Sequence, residues 1–151
     1  MSGMTPNQQK WFDERTRKRF VLMVEDELEL RKVFAQFAKE FHCDFIEASD
    51  GEEGIQLFHK INPDIVFLDL RLPKVDGVEV FRHIKAAKHD QPVVVMSGYL
   101  DDDVKKTLNS IGYAAKIDKT TELNIAYIAN ILETFGIPRK KPKNGDSEHH
   151  T

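Results

Sequence analysis

Five short strand-like runs, each followed by a segment of helical periodicity, constrain this chain more than any other feature. The runs are Phe20–Val24, Asp44–Ala48, Ile65–Leu68, Pro92–Met96 and Ala114–Ile117. Several are apolar at consecutive positions, as a strand is when both its faces are buried. The helical stripes between them carry Leu30, Val33, Phe34, Phe37, Ala38 and Phe41, then Ile55, Leu57 and Phe58, then Val78, Val80, Phe81 and Ile84. A fourth helix is predicted over 101–111, with acids in its first turn where the dipole favours them. A fifth over 122–135 carries Ile125, Ile128, Leu132 and Phe135. Asp50-Gly51 opens one helix and Asn62-Pro63 closes it, while Asp26-Glu-Leu-Glu29 reads as a capping box with Asp26 as N-cap. Strand and helix alternating five times predict a parallel sheet covered on both faces. With right-handed crossovers this is a doubly wound α/β fold, strand order 2-1-3-4-5.

The 151 residues suit one domain, expected over 19–137 between an N-terminal extension, 1–18, and a basic, polar tail, 138–151. No unbroken apolar run exceeds five residues, against about 20 for a membrane helix, and the polar start lacks a secretory signal. Cys43 is the one cysteine, so no internal disulfide forms; beside Phe41 and Phe45 it reads as a small buried hydrophobe in a reducing cytoplasm. The net charge of −3 hides an asymmetry: residues 20–137 hold 13 basic against 21 acidic residues, a net −8. Such a body is a poor nucleic-acid binder. Arg15, Arg17, Lys18 and Arg19 crowd one end, and Arg139, Lys140, Lys141 and Lys143 the other. The six histidines include no pair with a metal-ligand spacing inside the fold.

Ligands of open α/β sheets bind at the carboxyl ends of the strands. There the first strand ends in Glu25-Asp26, the third in Asp69, the fourth in Ser97-Gly98, and Lys119 follows the fifth. Singly, each has a plain reading, Ser97 on a loop amide or Lys119 as a solvated charge. Gathered together, three carboxylates repel unless a cation sits between them. Oxygen donors without Cys or His select Mg²⁺ (or Mn²⁺) and leave room for a phosphoryl group. Asp69, on the central strand, is the carboxylate best placed to act as a nucleophile.

These residues resemble the receiver domain of bacterial two-component response regulators, a flavodoxin-like fold, over about residues 19–136. The resemblance rests on Val-Glu25-Asp26, on Pro63-Asp-Ile-Val-Phe-Leu-Asp69-Leu-Arg-Leu-Pro73-Lys-Val-Asp-Gly77, on Val-Val-Val-Met-Ser97-Gly98 and on Lys119. It implies that Asp69 accepts a phosphoryl group from a sensor histidine kinase or a phosphorelay protein. Glu25, Asp26, Asp69 and the backbone carbonyl of Arg71 would hold Mg²⁺. Ser97 and Lys119 would meet the phosphoryl group, Pro73 and Gly77 would shape the loop, and Arg71 and Tyr99 would tune the lifetime of the phosphoryl group. Signalling would run through protein contacts with a downstream target, not through enzymatic turnover. The 14 residues after Ile137 are too few for an output domain, so a single-domain type is expected.

Two positions depart from the pattern. Lys116 stands where the family places a switch aromatic, and strand parity puts Tyr113 on the opposite face. Thr120 follows Lys119 where a proline is usual, which predicts a trans bond and a displaced Lys119. The alternative is a degenerate receiver that works as a phosphorylation-independent interaction module. An aspartate-nucleophile phosphatase would want a carboxylate where Arg71 stands, and Glu25-Asp26-Glu27 would repel a flavin phosphate. On the last helix, Leu123, Tyr127, Ile131 and Thr134 form a second stripe. A second copy of the chain, a target protein, or the segment with Trp11 and Phe12 could cover it.

Overall fold

The computed structural model describes residues 3–140, without the side chains of residues 14–16. After α1 (Pro6–Thr16), strand and helix alternate as β1 (Phe20–Val24), α2 (Leu28–Ala38), β2 (Asp44–Ala48), α3 (Gly51–Ile61), β3 (Ile65–Asp69), α4 (Gly77–Ala87), β4 (Val93–Ser97), α5 (Asp102–Ile111), β5 (Ala115–Asp118) and α6 (Ile125–Thr134). The strands form one sheet, ordered β2-β1-β3-β4-β5, and every pairing is parallel. This is the doubly wound order expected from the sequence.

The central strands β3 and β4 are buried at every position, which is why their runs are apolar on both faces. One core layer joins Val21, Met23, Phe67 and Met96 to Phe34 and Phe37 of α2 and to Ile128 and Leu132 of α6. On the other face, Leu22, Leu68 and Val95 meet Phe58 of α3, Phe81 and Ile84 of α4 and Leu108 of α5. The register sets Val24 beside Leu68, Asp69 beside Met96 and Ser97 beside Asp118, so the strand ends that carry polar groups finish along one edge.

Most helix starts are capped as their residues suggest. Asp50 accepts from the Glu53 amide at 2.8 Å, Asp101 from Val104 at 2.9 Å, and Asn124 from Tyr127 at 2.8 Å. Asn62 ends α3 in the left-handed conformation, φ 50°, just before Pro63. Asp26 is the exception: α2 has Glu27 as its N-cap, with no side-chain bond to it, because the Asp26 carboxylate stands with the acids at the sheet edge instead.

Three expectations about elements change. The extension before β1 contains a helix, α1, entered through a capping box between Thr5 and Gln8 with Pro6 in its first turn. Its Trp11 is 61% exposed. The chain also stays anchored past 137. Arg139 pairs with Phe41 in an antiparallel bridge, His42 N–H donates to Pro138 O at 2.8 Å, and Lys140 N–H to Glu40 O at 2.8 Å. Residues 141–151, with Lys141, Lys143 and the last two histidines, lie outside the described residues. Finally, the core face of α6 is Ile128, Ala129, Ile131 and Leu132, while Ile125 is 58% exposed. The stripe read as a covering surface therefore gives Ile131 to the core. Cys43 is half-buried at the margin of the same layer, and burial pushes its thiol pKa up.

Candidate functional site

At the carboxyl edge of the sheet, Glu25 and Asp69 are almost wholly buried, at 0% and 3% exposure, and Asp26 is exposed beside them. One carboxylate oxygen from each lies within 4.8 Å of the others. Among the described residues this is the one cluster of three or more Asp, Glu, His or Cys side chains able to share a metal ion. The donors are all hard oxygens, the set that suits Mg²⁺.

Part of the charge is already compensated. Lys119 Nζ donates to Glu25 Oε1 at 2.9 Å, to Glu27 Oε1 at 3.1 Å and to Asp69 Oδ2 at 3.2 Å. Burial draws the Lys119 pKa down, but its bonds to Glu25 and Glu27 and the charge of Asp69 outweigh that and raise it. One ammonium does not neutralise the cluster. Burial raises the Glu25 pKa to about 7, against the pull of the Glu27 amide and of Lys119, with the Asp69 charge pushing the same way as burial. Three carboxylates that share one ammonium, with all-oxygen donors close enough to meet one ion, fit a divalent cation.

Each side chain is set by a short local device. Asp69 Oδ1 accepts from the Arg71 amide at 3.0 Å, which fixes the carboxylate as the chain leaves β3. Pro73 O accepts from the Gly51 amide at 3.4 Å, tying the loop to the start of α3. A Cβ on Gly77 would overlap the carbonyl oxygen of Asp69 and the backbone of Leu70, so only glycine lets α4 begin this close to the acceptor. Arg71 is exposed.

Lys119 reaches the acids although no described peptide bond is cis. The reason is the turn that replaces proline: Asp118 Oδ1 accepts from both the amide and the hydroxyl of Thr120, at 2.9 and 2.6 Å. Thus the bond is trans, and Lys119 is not displaced from the acids.

Ser97 takes its plain reading here. Its hydroxyl donates to Tyr99 O at 2.6 Å and accepts from the Tyr99 amide at 3.1 Å, turned into its own loop. The Tyr99 side chain is 70% exposed. Lys116 is exposed on β5 and lines a surface hollow with Ser97, Tyr99, Leu100, Lys105 and Asp118. Tyr113 does not follow strand parity: it precedes β5, just after Gly112 at φ 94°, and packs against the layer under α3, α4 and α5.

Two residues of the site escaped the sequence reading. Glu27 is the third partner of Lys119; its one sequence signal is its place in the run Glu25-Asp26-Glu27. Arg31 donates to the backbone carbonyl of Glu25 at 2.7 Å and pairs with Glu47 at 3.2 Å, pinning the end of β1. No spacing in the chain announces that bond. The histidines also hold a surprise: His59 and His83, 24 positions apart, stand with their Nε2 atoms 2.8 Å from each other.

The model of the response regulator receiver domain matches residues 21–129, so the chain belongs to that family, and to two-component signalling with it. The probable transcriptional regulator ycf27 of Guillardia theta is 37% identical over 84 residues, which cover 56% of this chain and 33% of that protein. The regulatory protein AtoC of Escherichia coli K12 is 32% identical over 85 residues, 54% of this chain and 18% of its own length. The chain therefore spans a third or less of these relatives. Among solved structures, the N-terminal domain of an uncharacterized Wolinella succinogenes protein superimposes with TM-score 0.71 at 26% identity, over 79% of this chain and 94% of that one. A CheX–CheY–BeF3–Mg²⁺ complex from Borrelia burgdorferi gives 0.67 at 27% identity, over 78% and 89%.

Proposed function

We propose that this receiver accepts a phosphoryl group on Asp69 from the phosphohistidine of a sensor kinase or phosphotransfer protein. The observation that carries the reading is the buried Asp69 carboxylate, one oxygen tied to the Arg71 amide and the other 3.2 Å from the Lys119 ammonium, inside an acid cluster. The carboxylate oxygen attacks phosphorus as the phosphorus–nitrogen bond breaks and the electron pair leaves with the imidazole. Arg71 N–H orients the nucleophile, and Lys119 offsets charge as the phosphoryl group arrives. Glu25, Asp26 and Asp69 would hold Mg²⁺, with the Arg71 carbonyl as a further donor. When bound, the ion neutralises the phosphoryl oxygens. A receiver-like neighbour described with BeF3 and Mg²⁺ supports that choice of metal.

Ser97 then leaves its bonds to Tyr99 for the phosphoryl oxygens, which loosens the loop it now holds. Lys116 is a charged group where an aromatic would swing, so the output is carried by this loop and the hollow beside it. The product is a modified protein that signals by contact from the cytoplasm, not a turnover enzyme.

The test is intact-mass analysis after incubation with Mg²⁺ and a small acyl phosphate. Wild type gains one phosphoryl group, and Asp69→Asn gains none. No adduct on either protein would favour the degenerate interaction module instead.

A further inference from the structure

Helices α3 and α4 pack against each other, and a pair of histidines meets across their contact. His59 stands in the last turn of α3 and His83 in the second half of α4. Their Nε2 atoms are 2.8 Å apart, with ring centroids at 5.1 Å and planes at 82°. Both side chains are exposed. We propose that His59 and His83 form a two-imidazole chelate for a divalent transition-metal ion with right-angled coordination, Cu²⁺ or Ni²⁺.

Two imidazole nitrogens that face one another at this distance share either a proton or a cation. A cation that replaces the shared proton must fit between nitrogens that already stand close together. Nitrogens about 2.0–2.1 Å from one ion stand about 2.9 Å apart at a right angle, but about 3.4 Å apart at a tetrahedral angle. The observed 2.8 Å is the length of a hydrogen bond from one ring to the other, and the right-angled arrangement of Cu²⁺ or Ni²⁺ is reached from it with a smaller movement than the tetrahedral zinc arrangement. Exposure lets water fill the remaining positions. No third protein ligand completes the set among the described residues, since the acid cluster is the one group of three or more.

The two helices are already in contact here, so binding does not have to draw them together. The His59 ring rests edge-on against Phe58 at 5.0 Å, and Phe58 is anchored in the core. Lys88 Nζ donates to Asn62 Oδ1 at 3.3 Å, a second link between the α3 end and the α4 end. His59 lies in the last turn of α3, where the backbone dipole favours a cation. The site is separate from the acid cluster. α3 starts at the edge where Glu25 and Asp69 sit, so its last turn lies toward the opposite end of the sheet.

The test is calorimetric titration of the full chain with Cu²⁺, then Ni²⁺, at about pH 7.5. Excess Mg²⁺ occupies the acid cluster throughout. Wild type is compared with His59→Gln and His83→Gln, and circular dichroism checks that each variant is folded. His42, His89 and the two tail histidines remain in all three proteins, so any binding they provide cancels. Both ions should bind wild type with one site that each single variant weakens by about tenfold or more, since either substitution breaks the chelate. Affinity unchanged in both variants would overturn the proposal, as would weakening confined to one of them.

Discussion

Lys119 and Glu25 bear most directly on the chemistry, and they titrate in ways that can be separated. The Glu25 carboxyl sits at about 7 in the folded chain, against an ordinary value of 4.5. A pKa raised by folding means that the folded state prefers the protonated acid. Its contribution to stability is therefore complete below about pH 4.5 and is lost as pH rises through about 7. The raised Lys119 pKa contributes a constant amount over that window, because the ammonium stays charged in both states. In the presence of a chelator, the melting temperature should carry a downward slope between pH 5 and 7 that Glu25→Gln removes, read by scanning calorimetry. A slope of equal size in the variant would mean that burial does not govern this acid.

Individual elements were legible in proportion to how much of their information is local. β3 and β4 could be read because Ile65–Leu68 and Val93–Met96 are buried on both faces, and no helix stripe fits so short an apolar run. α1 was missed because it has no apolar stripe; its mark is at its start, in Thr5, Pro6 and Gln8. α6 was found, but its orientation was not. It begins at Ile125, after the Asn124 cap, and turns Ile131 inward where the sequence stripe pointed Ile125. The two residues give the difference a measurable form. Ile128→Ala should cost about 2–5 kcal/mol, as for a core isoleucine. Ile125→Ala should stay within about 0.5 kcal/mol, as for an exposed one. Urea unfolding of both variants checks the pair.

At the scale of the molecule, the strand order and edge were readable, because a doubly wound sheet must gather Glu25, Asp26, Asp69, Ser97 and Lys119 at its carboxyl ends. Contacts between elements distant in sequence were not. Arg31 on the Glu25 carbonyl and His59 beside His83 follow from packing alone, and no periodicity encodes them. The stretch after Ile137 is another such case: its basic composition suggests a mobile tail, yet Pro138 to Lys140 pair with the Glu40–His42 segment, and Arg139 meets Glu40 at 2.9 Å and lies over the Phe41 ring at 5.4 Å. A chain ending at Ile137 should be less stable than one ending at Lys140 by about 1–3 kcal/mol, from two backbone bonds lost and Phe41 uncovered. Thermal unfolding of the two truncations measures it.

The ammonium shared by three acids has one more effect. A counter-ion carried on the polypeptide cannot be dialysed out or thinned by dilution, and at these separations dissolved salt hardly reaches it. Stripped of every free ion, the reactive cleft still keeps one resident positive charge. What an arriving divalent ion relieves is only the remainder, so its grip is set by how far those acids outnumber their tethered companion.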